Sequence, residues 1–220
     1  MTTKIRFAHI ADAHVGSWRE HKMKQLNLDS FSYAIKEILA EHEKEKISFI
    51  IIAGDLFNTA IPNVDALKLV TENLKHIYDK GIRVYGVAGS HDYSASGKSM
   101  LEVLEKAHLF TNLMKGNVNE NQLTLEFTKD PSGVKLAGII GKKGTLEKNY
   151  YNSLNKESFE KEQGQKIFVF HTAINEFKPK TLEKMEGVAF SFLPKGALYY
   201  AGGHVHYKFI NEALDSKLVF

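Results

Sequence analysis

Asp12 and His14 in IADAH, Asp55 in AGDLF, the run Ser90, His91, Asp92 in AGSHDY, His171 in FVFHTA, and His204 with His206 in GGHVH all close apolar stretches that turn abruptly polar. Of the ten histidines, five (His14, His91, His171, His204 and His206) stand just past such a stretch. Two carboxylates and four or five imidazoles collected in one place would bind divalent cations, and they are too many donors for one tetrahedral ion. Each signal is weak alone. An isolated D-x-H is commonly a turn aspartate beside a surface histidine, Asp55 after Gly54 has the look of a helix cap or Asx-turn, and a lone strand-end histidine is usually a satisfied core residue. GGHVH is sharper, because two imidazoles at i, i+2 behind paired glycines leave room for an ion and an anion near the backbone. Together they make chance the poorer account.

With Asp55 placed as a bridge, the donors divide into two octahedral-leaning sites about 3.5–4 Å apart, the spacing of two-metal hydrolases. Imidazole mixed with carboxylate suits Mn, Fe or Zn better than Mg or Ca, and the absence of cysteine leans towards Mn or Fe. On an extended segment Asp12 and His14 would project from the same face and grip one ion.

Converging these residues requires a sheet whose strands end together. KIRFAHIA, ISFIIIAG, IRVYGVAG, KIFVF and ALYYAGG read as buried strands. Between the first three lie helical patterns. DSFSYAIKEILAEHEKEK carries Phe31, Ala34, Ile35, Ile38 and Leu39 on one stripe with Asp29 or Ser30 available as N-cap, and IPNVDALKLVTENLKHIYDKG carries Leu67, Val70, Leu74, Ile77 and Tyr78 with Gly81 as stop. Alternating strands and helices imply a parallel sheet, and in an open α/β sheet ligands bind at the carboxyl ends of the strands. A third helix, KSMLEVLEKAHL, follows. NQLTLEFT and VKLAGIIG then alternate like more exposed strands joined by the KDPSG turn, so a second sheet packed on the first is expected. GTLEKNYYNSLNKESFEKEQGQ reads as a polar surface excursion, and LDSKLVF as a last strand.

The composition sets limits. At 220 residues and 43% hydrophobic, the chain can bury one sizeable core, which predicts one globular domain. A net charge of +3 permits contact with a polyanion but falls short of a dedicated nucleic-acid tail. Without cysteine there are no disulfides, thiolate metal sites or thiol nucleophiles, which fits a reducing cytoplasm. No signal-like N-terminus and no apolar run near the ~20 residues of a membrane span is present, so a soluble protein without a membrane partner is expected.

The order D-x-H, G-D, G-[NS]-H-D, a strand-end histidine and G-H-x-H resembles the calcineurin-like metallophosphoesterases over nearly the whole chain. HIADAHVG, AGDLFN and LYYAGGHVH are similar to the SbcD-type nuclease subunits and their archaeal and eukaryotic relatives in DNA double-strand-break repair. The resemblance implies an α/β fold, a two-sheet sandwich with flanking helices. Residues 1–220 would then be the nuclease catalytic domain, with the capping and ATPase-binding segments of such relatives lying outside this chain. It implies two divalent ions, Mn foremost, one held by Asp12, His14, Asp55 and His206, the other by Asp55, Ser90, His171 and His204. His91 would face the scissile phosphate as general acid or transition-state stabiliser, with Asp92 holding its tautomer, during in-line attack by a metal-bound hydroxide. Exonuclease and endonuclease action on DNA, an SbcC-type coiled-coil ATPase partner and a cytoplasmic, nucleoid-associated location follow in the same way. So does a homodimer formed through the helices around Leu67 to Tyr78 and Met100 to Leu109.

Two departures stand out. Serine at 90 replaces the more usual asparagine and is a shorter, weaker donor, which admits a weakened second site, an equivalent variant or lost catalysis. Asn58 stands where some relatives have histidine. The alternatives are a metal-binding DNA tether or scaffold, and a phosphodiesterase acting on small diesters. Trp18, Arg19 and His21 could touch nucleic acid or form a plain linker, and Lys142 and Lys143 could bind phosphate or form a solvated turn. His9, His42, His76 and His108 read as structural or surface residues.

Overall fold

Two β-sheets lie face to face, and helices cover the outer side of each. The computed structural model describes residues 4–94, 96–214 and 216–220. In the first sheet β1 (Phe7–Ile10), β2 (Phe49–Ala53), β3 (Arg83–Val87) and β4 (Thr111–Asn112) run parallel in that spatial order. A hairpin of β5 (Gly116–Asn119) and β6 (Gln122–Leu125) follows. The second sheet contains β7 (Thr128–Lys129), β8 (Lys135–Ile139), β9 (Lys166–His171), β10 (Tyr199–Gly203), β11 (Ile210–Leu214) and β12 (Ser216–Val219), ordered β11-β12-β10-β9-β8-β7. Helices α1 (His21–Lys44), α2 (Val64–Asp79) and α3 (Met100–Lys106) follow in the first half, and α4 (Lys148–Ser153) and α5 (Lys156–Lys161) in the second.

The period of two in a strand sorts the side chains into layers. From β2, Phe49, Ile51 and Ala53 join Tyr85 and Val87 of β3 and Ile167 and Val169 of β9 in the core between the sheets. Ile50 and Ile52 point the other way, to Phe31 and Ile35 of α1 and Val70 and Leu74 of α2. On the far side, Phe168 and Phe170 of β9 pack with Tyr151 of α4 and Phe159 of α5. Burial on both faces is why the strands read as continuous apolar runs. This is the two-sheet α/β sandwich with flanking helices that the sequence led one to expect.

Three local readings are corrected. The first helix begins at His21, and neither Asp29 nor Ser30 caps it: the Glu20 carboxylate accepts from Lys22 N at 3.1 Å and Met23 N at 2.8 Å. Asp29 instead accepts from Gln25 Nε2 within the helix. VKLAGIIG is not an exposed strand, because β8 pairs parallel with β9 and buries Leu136 to Ile139 between neighbours. NQLTLEFT divides, Gln122–Leu125 pairing with β5 and Thr128–Lys129 with β8, the latter through the expected KDPSG turn. The polar excursion holds two short helices that bury Tyr151 and Phe159. Among the described residues, no helix is long and apolar enough to cross a membrane.

Candidate metal centre

The last residue of β9 and the loops after β1, β2, β3 and β10 deliver the candidate residues to one edge of the sandwich. After β1 and β2 the two loops continue the parallel pairing: Asp12 N donates to Gly54 O at 3.1 Å, His14 N to Asp55 O at 2.9 Å and Val15 N to Leu56 O at 2.9 Å. Asp12, His14 and Asp55 have φ of 54°, 43° and 50°, so the D-x-H pair is presented by left-handed backbone and not by an extended segment, a correction to the same-face argument. His204 and His206 are also left-handed, at 100° and 48°. Such conformations cost of order 1–3 kcal/mol each in a non-glycine residue and persist where a surrounding site holds them. Gly89 belongs to the same constraint, since a Cβ there would lie 2.1 Å from Asp55 Oδ1.

The carboxylates are fixed by backbone donors. His204 N–H donates to both oxygens of Asp12, at 3.0 and 2.9 Å, and His91 N–H to Asp55 Oδ1 at 2.8 Å. His171 Nδ1 lies 2.8 Å from Ala53 O, which assigns the ring proton to Nδ1 and leaves Nε2 a lone pair. That Nε2 is 3.2 Å from Asp55 Oδ2 and 4.0 Å from Asp12 Oδ1, buried and without a hydrogen-bond partner among the described residues. His14 Nε2 stands 3.0 Å from His206 Nε2 and 3.5 Å from Asp55 Oδ2, and His206 Nε2 is 3.6 Å from Asp12 Oδ1.

Ligand atoms therefore face ligand atoms, an arrangement that only a shared proton or a cation between them can hold together. Among the described residues, three groups with ligand atoms within 4.8 Å of one another result: Asp12, His14 and His206; His14, Asp55 and His91; Asp12, Asp55 and His171. These residues fit divalent ions. With only protons available, burial raises the Asp55 carboxyl, but His171, the His91 N–H and His14 outweigh it and bring it to about 2. Burial likewise lowers His171, and Asp55 with Asp12 overcomes this to lift it to about 9. Burial holds His14 and His204 below the ordinary imidazole value, in the neutral form that ligation needs.

Asp55 belongs to two of the groups, as a bridging residue must. Asp12 also belongs to two, and so reaches towards both halves of the site. His204 is outside these groups; its ring lies edge-on to His171 with centroids 5.1 Å apart, and its clearest role is the N–H that orients Asp12. Ser90 is buried in the turn between Gly89 and His91.

The expected pairing of Asp92 with His91 does not occur. Asp92 is fully buried and accepts from Leu56 N at 3.0 Å, Phe57 N at 2.8 Å and Gly89 N at 3.1 Å, tying the β2 and β3 loops together. Burial pushes its carboxyl up to about 6 against the pull of these donors. The His91 tautomer is set by the Asn58 carbonyl instead, 2.8 Å from Nδ1, which leaves Nε2 for the site. Asn58 was singled out in the sequence only for its side chain, whereas its main chain does this work. A backbone acceptor leaves no trace in residue type.

Residues 5–208 match the calcineurin-like phosphoesterase family. The DNA double-strand break repair protein Mre11 of Methanocaldococcus jannaschii is 30% identical over 225 residues, covering 98% of this chain and 55% of that protein. The Methanococcus maripaludis protein of the same name is 28% identical, with 98% and 55% covered. A subunit of the nuclease SbcCD from Staphylococcus epidermidis is 32% identical over 89 residues, 40% of this chain and 23% of that one. The chain thus spans about half the length of the two archaeal relatives. A solved crystal structure aligned over 97% of this chain and 89% of its own has a TM-score of 0.55 at 14% identity, a likeness of fold alone. The family match takes in every strand-end motif gathered at this edge, and the chain belongs to the calcineurin-like phosphoesterases.

Proposed function

We propose that this chain is the catalytic part of a Mn-dependent DNA nuclease of double-strand-break repair, hydrolysing phosphodiesters as both exonuclease and endonuclease. The observation that carries this reading is that Asp55 Oδ2 lies 3.5 Å from His14 Nε2 and 3.2 Å from His171 Nε2, between imidazoles assigned to different ions. Asp12, His14, Asp55 and His206 would hold one ion, and Asp55, Ser90, His171 and His204 the other. When bound, two such ions supply Lewis acidity and a nucleophile usable at neutral pH. The rest falls to the chain itself: the His204 and His91 N–H groups aim the carboxylates, and His91 Nε2, left free by the Nδ1 bond to Asn58 O, would give a proton to the leaving oxygen.

The names of the relatives support DNA as substrate and, with the resemblance to SbcD-type subunits, a coiled-coil ATPase of the SbcC type as partner in the nucleoid. Exposed Ile61, Val64 and Val103, on or beside α2 and α3, support a homodimer through those helices. Sedimentation as a monomer at micromolar concentration counts against that pairing.

The catalytic reading is tested by hydrolysis of a chromogenic phosphodiester across a Mn²⁺ titration, with Ser90→Asn alongside. Both proteins are expected to turn over, the variant needing on the order of tenfold less Mn²⁺, since an amide oxygen is the stronger donor. If the natural chain is inert at saturating Mn²⁺ while the variant works, the metal-binding scaffold replaces the enzyme. If both are inert, the phosphodiesterase reading fails.

A further inference from the structure

At the carboxyl end of β8 the backbone of Gly141 lies against the metal centre: a Cβ there would sit 2.5 Å from His171 Cδ2, and the Gly141 N–H donates to Ala88 O at 2.9 Å. Lys142 follows directly, so its backbone adjoins the segment packed on His171. Its Nζ lies 5.0 Å from the ring centroid of Tyr93 and 4.4 Å from that of Tyr150. Both walls of this cage are tied to catalytic segments. Tyr93 N donates to Gly89 O at 3.0 Å, closing the turn that carries His91. Tyr150 belongs to α4, which is anchored just before its start by Glu147: this buried carboxylate accepts from Thr172 Oγ1 at 3.0 Å, next to His171, and from Lys142 N at 3.3 Å.

Two phenol rings hold an ammonium in place without cancelling its charge. Among the described residues Lys142 makes no ion pair, and unlike the solvated surface lysines its ammonium is held between two rings. Burial draws its pKa down, but the phenol groups of Tyr150 and Tyr93 outweigh this and hold it above the usual lysine value. The combination of a fixed, unneutralised cation and flanking aromatic faces is what a single nucleic-acid strand needs, with a phosphate on the ammonium and a base or sugar against a ring.

We propose that Lys142, caged by Tyr93 and Tyr150, binds the backbone phosphate next to the scissile one, so that the site selects a nucleic-acid strand over an isolated diester. This deepens the phosphodiesterase reading above and rests on it for the identity of the scissile group. The test is fluorescence anisotropy of a labelled single-stranded oligonucleotide in EDTA, where nothing is cleaved, over a series of salt concentrations, with Lys142→Met and Lys142→Arg beside the natural chain. Lys142→Met is expected to weaken binding about tenfold and to flatten the slope of log affinity against log salt by about 0.7, the release expected for one phosphate contact on a single strand. Lys142→Arg keeps the slope and most of the affinity. In turnover, the ratio of kcat/KM on the oligonucleotide to that on the small diester falls about tenfold in Lys142→Met, through KM.

An unaltered salt slope in Lys142→Met, or an arginine variant that behaves like the methionine one, overturns the proposal and leaves Lys142 a pin between two loops. So does a natural chain that binds no oligonucleotide. If the natural chain binds strands but hydrolyses neither substrate, the enzymatic reading fails while the anisotropy series still decides the role of Lys142.

Discussion

Asparagine in place of Asp55 is expected to lower Mn²⁺-supported hydrolysis of a small phosphodiester by about three orders of magnitude or more, or roughly 4 kcal/mol of transition-state stabilisation. The size follows from position. Asp55 Oδ2 lies within 3.2 Å of His171 Nε2 and 3.5 Å of His14 Nε2, and Oδ1 is held by the His91 N–H, so one side chain serves both halves of the site. Asparagine keeps the shape and loses the charge, and its amide nitrogen would turn a donor towards imidazoles that need a cation. The binding stoichiometry of Mn²⁺, read by calorimetry or electron paramagnetic resonance, should fall from two ions to one or none. A variant that keeps activity within tenfold of the natural chain, or still binds two ions, removes Asp55 from the bridge. Thermal unfolding of metal-free protein separates this effect from a failure to fold.

The strands were legible because burial on both faces leaves a run such as FIIIA at β2 with no polar position, and the chemistry was legible because polar residues follow such runs at once. What stayed hidden depends on contacts far apart in the chain. The first turn and a half of α1 is largely exposed, Met23 and Leu26 included, so no buried apolar stripe marks it, and the Glu20 cap shows only when the chain is folded. VKLAGIIG read as a more exposed strand, yet it is buried, and Gly138 is where β9 and Val87 press close: a Cβ there would lie 2.5 Å from Val169 O and 2.7 Å from Val87 Cγ1. His91 and Asp92 are neighbours in sequence, which invites pairing, but the turn sends their side chains to different partners, Asn58 O and the backbone of Leu56 and Phe57. The Lys142 cage joins residues from three separate segments and has no motif at all.

Replacing His91 by asparagine is expected to lower kcat on an oligonucleotide by about 10²–10⁴, the range for loss of a positioned proton donor. The loss should depend on the leaving group. An alkoxide departing from a nucleic-acid strand needs a proton, while a nitrophenolate departs without one, so the same variant should lose far less on a chromogenic diester. The geometry supports this division of labour: the Nδ1 proton is committed to Asn58 O at 2.8 Å, and only Nε2 is free to exchange a proton with substrate. Yet His91 also shares a group with His14 and Asp55, whose ligand atoms lie within 4.8 Å, and its ring meets that of His14 edge-on at 4.7 Å. A ligand role would show differently, as a lost ion in the binding stoichiometry and equal losses on both substrates. Unchanged stoichiometry with equal losses would instead make His91 a stabiliser of charge on the phosphoryl oxygens, a role that needs a donor at Nε2 but no proton transfer.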